Sequence, residues 1–570
     1  MHRLADPVPR ILSQQLTEGM WEAGDWGPLE RFVTEEYISD TLWAFEPGYR
    51  RAAIIPAAEQ LGTLPLPADH PERCQFLVAE TLFGEMLALP RPPHEAIFYH
   101  IVVQDLCKAI ASFPKMMANV VGHMFKQMGR MDPEARERLA DWMAHHLSCF
   151  DLAWPWKSWI HVADQPANHP QRAFCSSVVR RLLRLSYHDR VRESLPEELH
   201  CLLPNKPSLN PDYLHETLNA SSGALHDLQG FMKSKTSADK VMEWFNESGK
   251  LAALGRPMAA QALIVAALQH GQKCITHHNV LLKRYEPALR ALTAPDEGSD
   301  DAEGCEHVLV AAAAGVWAGT HPHMAIIAVS RLLELGICKP TAVARWLATT
   351  IEDEEGAGTT ESGASRGVAW GTADAWQIAC MAVEMVMADR DALHWRWQSF
   401  DRKVKVAEAE ATSAAAAAMA AAQRGMHADA QRAQAAEAAA VDRIEAMEKK
   451  AAEARTPVVD ADALVADCAG NLALALVKAL SPRLEAAAEA AAGPPPADAG
   501  KGAEPEPRDR LALAMCRAVL RRFRRQVGAA YEADVHEALG AAGVSPAVQM
   551  ALREALSGRS TSSRANGMME

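Results

Sequence analysis

Residues 142–159 read W-M-A-H-H-L-S-C-F-D-L-A-W-P-W-K-S-W, and residues 181–191 close the same segment with R-L-L-R-L-S-Y-H-D-R-V. Trp142, Trp154, Trp156 and Trp159 thus fall within eighteen residues. An indole buries a large apolar area, and its N–H wants an acceptor. Rings this close in sequence predict a corner between two helices, wedged into a core. Trp142, Trp154, Trp156, Trp159 and Tyr187 are the expected structural residues. The pair Tyr187-His188 beside Arg190 reads as a capped helix end rather than as an acid–base group.

Outward from this corner, helical periodicity recurs in short blocks. Residues 74–89, C-Q-F-L-V-A-E-T-L-F-G-E-M-L-A-L, place Phe76, Leu77, Ala79, Leu82, Phe83, Met86 and Leu87 on one broad face. Pro90, Pro92 and Pro93 then stop the helix. A helix over 94–112 follows, interrupted at Pro114, and then a pair over 115–129 and 133–150. Asp132-Pro133 supplies the cap and first turn of the last. Strand signals are almost absent. Short helices on short loops predict antiparallel pairs stacked as a solenoid, and the lack of a fixed period makes the repeat degenerate. The expected fold is all-α: a HEAT-like helical-repeat solenoid (an armadillo-type α-α superhelix), with two domains plus a long helical arm.

Composition shifts divide the chain. Residues 1–25 are expected to be a linker or the remnant of a missing first domain, and 26–205 a helical-repeat domain. Residues 206–235, rich in Pro, Asn and Ser at their start, read as a linker. A second helical-repeat domain is expected over 236–570. The acidic segments 294–304 and 352–368 read as surface loops, and 481–508, with its P-P-P run, as a disordered loop. Between them, 400–455 is dominated by alanine and charged residues. It is helical by propensity but offers little volume to a core. As one helix, ~50 residues would span roughly 75 Å, and half that as a hairpin bent at Gly425. Its would-be a and d positions are mostly alanine, a weak heptad match. A protruding arm and a partly frayed solvated helix are both open.

A net charge of −14 argues against a broad phosphate-binding surface. The one dense basic cluster is Arg517, Arg521, Arg522, Arg524 and Arg525. It is either a solvated face or a local docking site for an acidic partner or RNA phosphate. Eleven cysteines are scattered singly without a C-x-x-C pair, the pattern of reduced thiols in a cytosolic or nuclear protein. No secretory segment and no apolar run of membrane-spanning length is read, so no membrane partner is expected. No nucleotide-binding loop, nucleophile elbow or H-E-x-x-H occurs. His145-His146 and His277-His278 are adjacent and so project about 100° apart on a helix, unlike metal ligands at i and i+4. No catalytic residue, cofactor or metal site is assigned, and the chain is read as no enzyme.

The order of these motifs resembles the large subunit of the nuclear cap-binding complex. That family has a His-His-Leu-Ser helix end running into a Trp-x-Trp-x-x-Trp corner, then a helix ending Leu-Ser-Tyr-His. L-E-R-F-V-T-E-E-Y-I at 29–38 and L-P-R-P-P-H-E-A-I-F-Y at 89–99 are similar to its segments too. So are G-Q-K-C-I-T-H-H-N-V-L-L-K-R-Y at 271–285, V-W-A-G-T-H-P-H-M-A-I-I-A-V-S-R-L-L at 316–333 and A-V-A-R-W-L at 342–347. The likeness runs in order over roughly 25–400, and the arm falls where that family inserts a helical coiled arm. It implies the second and third of three helical-repeat domains of the type named for the middle domain of initiation factor 4G. Pro7-Val8-Pro9-Arg10-Ile11 looks like the linker after the first.

The resemblance also implies a function: a scaffold that binds a small RNA-recognition subunit as a heterodimer and orders it to hold the 7-methylguanosine cap. Capped RNA would be met indirectly, with RNA processing and export factors as further partners. The implied location is the nucleus, with shuttling to the cytoplasm. The alternatives are a translation or mRNA-decay scaffold of the initiation-factor-4G middle-domain type that docks a helicase, and an importin-like adaptor.

Overall fold

The computed structural model describes residues 28–44, 71–89, 92–167, 169–204, 208–295, 304–318, 320–356, 373–491, 508–527 and 529–541, with positions 549, 552, 553 and 555. The expectations at Pro7–Ile11, most of the two acidic segments and the 492–507 stretch lie outside them. The described residues contain helices and no strand, as the periodicity predicts. They fall into two compact units. One comprises Met1–Ser208, Leu480–Arg524 and Gly543–Glu570; the other comprises Leu209–Ala479 and Arg525–Ala542.

The first unit contains α1 (Pro28–Ala44), α2 (Pro71–Met86), α3 (Ala96–Ala109), α4 (Phe113–Lys126), α5 (Pro133–Cys149), α6 (Pro170–Leu185) and α7 (His188–Ser194). Prolines stand in the first turns of α4, α5 and α6, where a missing N–H costs nothing. Pro114 therefore opens α4 rather than interrupting a helix. Asp132 caps α5, its carboxylate accepting from the Glu134 N–H at 2.9 Å. Helices pack on their next neighbour or next but one, α2 on α4, α3 on α5 and α5 on α6, which is the local contact pattern of a solenoid.

The second unit contains α8 (Pro211–Ala220), α9 (Ala224–Ser234), α10 (Ala238–Glu247), α11 (Lys250–Gly271), α12 (Ile275–Thr293), α13 (His307–Gly315), α14 (Pro322–Glu334) and α15 (Thr341–Gly356). It also contains α16 (Ala373–Gln423) and most of α17 (His427–Ala491). Three expectations fail here. Residues 206–235 are not simply a linker, because α8 and α9 occupy most of them. The Asn210-Pro211 pair that reads as loop composition is a helix start, with Asn210 accepting from the Tyr213 N–H at 3.2 Å. Tyr213 anchors α8: Gln261 Nε2 donates to its hydroxyl at 3.0 Å, and its ring lies where a Cβ at Gly315 would stand, 2.4 Å away. Nor is 236–570 one body. The residues from Leu480 to Arg524 belong to the first unit, where α18 (Arg508–Phe523) packs on α5 and buries Cys516, Leu520 and Phe523. Residues 481–491, expected as loop, continue α17 as helix. The last described helix, α19 (Ala529–Ala541), belongs to the second unit.

Helix α11 corrects a further expectation. It and the His427–Leu480 part of α17 are long and apolar enough to cross a membrane. In α11, however, Ala259, Ala260 and the run Ala262–Leu268 are buried against α9, α12 and α13, so its apolarity serves the core of the unit.

The arm is a hairpin of α16 and α17, turning at Gly425 with φ +72°, a left-handed conformation that glycine adopts without strain. The pair is antiparallel, since Arg443 meets Glu410 at 2.9 Å and Arg390 meets Asp462 at 3.5 Å. Positions 404, 407, 411, 414, 418 and 421 on α16 are buried or half-buried while most neighbours are exposed. So are 430, 433, 437, 440, 444, 447, 451, 454 and 458 on α17. These steps of three and four residues are a heptad seam. Alanines stand on most of these seam positions. Because the tip packs only on itself in this pattern, replacing residues 405–452 with a short Gly/Ser linker is expected to leave the melting temperature of the second unit within about 3 °C, loop closure costing little. A larger loss on calorimetry would show that the arm supports the rest of the unit.

Candidate functional site

The tryptophan corner joins α5 to α6. After Cys149 the chain turns through Asp151 and Leu152, both with left-handed φ of 56° and 60°, an unusual conformation for residues other than glycine. The Leu152 N–H donates to the Leu147 carbonyl at 2.8 Å, and Arg190 pairs with the Asp151 carboxylate. A run of 3₁₀ helix over Trp156–Asp164 then presents Trp156 and Trp159 inward. Trp159 stacks on Phe125 with centroids 4.0 Å apart and meets Trp156 edge-on at 5.7 Å. Trp142 is 1% exposed and lies edge-on to Phe83 at 4.8 Å. Trp154 is half-buried on the same core, 5.4 Å from Trp159. These four rings are packing elements.

Tyr187 is not one. It is 82% exposed, at the N-cap position of α7, and Leu185 beside it is 50% exposed. The α6 helix ends at Leu185, so the following residues turn outward while the helix's buried stripe ends at Leu182. Position on the stripe, not residue type, decides this, and the aromatic pattern alone could not show it.

The basic cluster divides. Arg521 on α18 reaches Asp132 at 3.0 Å and Glu134 at 3.4 Å, and Arg522 reaches Glu134 at 3.6 Å. Glu134 also holds Arg138 of its own helix at 2.6 Å, and Arg138 donates to the Ala88 carbonyl at 2.5 Å. Asp132 and Glu134 stand at the N-terminus of α5, where negative charge is favoured by the helix dipole. The acidic partner of Arg521 and Arg522 is therefore internal to the first unit, and these two do not form a docking site. Arg517 and Arg525 are exposed, and Arg524 is half-buried. The D-P-E run at 132–134 carried the signal of a cap but not that of a counter-charge, since its partner lies almost 400 residues away.

Sequence reading also missed a histidine cluster. His100 on α3 lies 4.7 Å from His145, and His146 stacks on Trp142 at 4.9 Å. Burial, and then the neighbouring His145 and His146, push His100 down to about 3. Burial, and then His145, push His146 down to about 4. The rings are packing partners held neutral. No group of three or more metal-ligating side chains occurs among the described residues. One acid in this unit shows the opposite response: burial raises Glu80 to about 7 although Arg31 pairs with it at 2.7 Å.

Two MIF4G-like family regions match the chain, at residues 52–197 and 219–477. Among curated proteins, the chain is 32% identical over 333 residues to nuclear cap-binding protein subunit 1 of Oryza sativa subsp. japonica, covering 57% of this chain and 36% of that protein. It is 29% identical over 331 residues to the Arabidopsis thaliana protein of the same name, covering 57% and 37%. With nuclear cap-binding protein subunit 1-A of Xenopus laevis the identity is 26% over 357 residues, covering 60% and 43%. The chain spans less than half the length of these relatives. Tandem matches over most of the chain, on two units of packed helices, place this protein in the MIF4G-like helical-repeat family, among the relatives of nuclear cap-binding protein subunit 1.

Proposed function

We propose that this chain is a non-enzymatic scaffold subunit of a nuclear cap-binding assembly. It binds and orders a small RNA-recognition subunit, which then holds the 7-methylguanosine cap. The observation that carries this reading is the tandem MIF4G-like likeness to proteins named nuclear cap-binding protein subunit 1. In this reading the first unit corresponds to the second repeat domain and the second unit to the third. The assembly acts in the nucleus, shuttles to the cytoplasm, and serves capped-RNA processing and export.

The physical advantage is preorganisation. A stiff helical surface bears the ordering cost of a flexible partner before the ligand arrives, which raises ligand affinity without touching the ligand. Tyr187 and Leu185 are the contact we assign to the first unit, since an exposed tyrosine beside an apolar neighbour suits an interface anchor. The test is co-expression with a small RNA-recognition subunit, followed by retention on a 7-methylguanosine resin. The heterodimer is expected to be retained and the isolated chain to pass through. Tyr187→Ala is expected to weaken co-purification while leaving melting unchanged. Micromolar or tighter cap binding by the isolated chain contradicts the scaffold role. Failure to recruit any small subunit, with capture of a helicase instead, would favour the translation or decay scaffold.

A further inference from the structure

The base of the arm carries a second surface, independent of the proposed partner. Residues 394–405 of α16 read H-W-R-W-Q-S-F-D-R-K-V-K, aromatic and basic residues interleaved. The helix sorts them. Val404 lies in the seam with α17, and Trp397 and Phe400 are half-buried. Trp395 is 67% exposed, and Arg396, Arg402 and Lys403 are exposed with it. Steps of six to eight residues from Trp395 and Arg396 to Arg402 and Lys403 place all four on one helix face, spread over roughly 10 Å of axis.

Three nearby carboxylates are engaged with other cations. Asp401 pairs with Lys405 at 2.9 Å, Asp391 with Arg390 at 2.7 Å, and Asp462 with Arg390 at 3.5 Å and His394 at 3.6 Å. Arg396 and Arg402 have no ion pair among the described residues, and Lys403 sits 5.4 Å from the centre of the Phe400 ring. A lone exposed indole is ordinary on a protein surface. An exposed indole among cations that have no ion pair among the described residues, on a chain of net charge −14, is not.

We infer that Trp395, Arg396, Arg402 and Lys403 form a contact for single-stranded nucleic acid. A base stacks on the indole while the guanidinium and ammonium groups meet the flanking phosphates, the combination that sequence-tolerant single-strand binders use. An acidic peptide would satisfy the cations but would leave the ring without a stacking partner. Recognition here needs no cap and falls with salt.

The experiment is fluorescence anisotropy of the full chain with a labelled, uncapped oligouridylate, at low and physiological salt, with a labelled polyglutamate peptide as the second probe. All four residues are exposed, so the variants are expected to fold, and their melting curves check this. Trp395→Ala should weaken oligouridylate binding about five- to a hundredfold, the range for losing one stacked base. Trp395→Phe should restore most of it. Replacing Arg396, Arg402 and Lys403 together by Gln should lower affinity and flatten the log–log salt slope by about 2, for three phosphate contacts on a single strand. Absent oligouridylate binding, or binding that Trp395→Ala leaves unchanged, overturns the proposal. Polyglutamate binding that falls equally with Trp395→Ala would overturn the nucleic-acid assignment in favour of an acidic protein partner.

Discussion

Trp156→Ala is expected to destabilise the first unit by about 3–5 kcal/mol, the range for removing a large ring from a closed core. The side chain is 2% exposed and sits edge-on to Trp159, which in turn stacks on Phe125. The corner cannot collapse into the space left behind, because the left-handed residues Asp151 and Leu152 hold the turn before it and the 3₁₀ run holds the turn after it. The buried Trp156 Nε1 has no acceptor among the described residues. The cost is set by the volume and contacts the ring supplies, and Trp156→Phe should recover much of it. Calorimetry should show a fall of roughly 6–20 °C in the transition of that unit. Tyr187→Ala, by contrast, removes an exposed ring and should stay within about 0.5 kcal/mol of wild type. A Trp156→Ala protein that melts like wild type would show that the corner is a surface feature rather than a core.

Acid should destabilise the same unit through His100 and His146. Both have folded values below the ordinary 6.5, at about 3 and about 4. Well above pH 7 they are neutral in both states and contribute nothing to pH dependence. Below pH 6.5 the unfolded chain takes up protons that the folded chain refuses, so stability falls as pH falls, until the folded values are reached. Each histidine contributes a slope of up to about 1.4 kcal/mol per pH unit. Glu80 works in the opposite direction: its folded value of about 7 lies above the usual carboxylate range, so it stabilises as pH falls from about 7 toward 4.5. The net slope is therefore smaller than that of the histidines alone, and the informative quantity is a difference between variants. His100→Phe, which keeps a ring against His145, should reduce the slope between pH 6 and 4.5 by about 1.4 kcal/mol per unit. Denaturant titrations at several pH values measure it. Equal slopes in the two proteins would mean that His100 takes up its proton while folded.

Much of this architecture was legible from the chain itself. The helical class follows from apolar residues at steps of three and four, with proline and Asp-Pro at the helix starts, and each of these signals acts within one turn. The burial of Trp142, Trp156 and Trp159 follows from the size of the rings. The arm hairpin follows from alanine propensity interrupted once at Gly425. What misled was composition read without geometry. Asn and Pro at 210–211 begin a helix rather than a linker, and the alanines of the arm are seam residues rather than filler.

What local sequence determined about this protein is its set of helices, because caps, breakers and periodicity need no partner beyond the next turn. What only the tertiary structure decided is which distant groups meet. Arg521 is committed to Asp132 and Glu134, His100 joins His145, and Tyr187 faces solvent while Trp142 is enclosed. Each of these depends on how one helix is rotated and seated against another. That rotation is set by the packing of whole faces, so the residues concerned carry no local mark of the outcome.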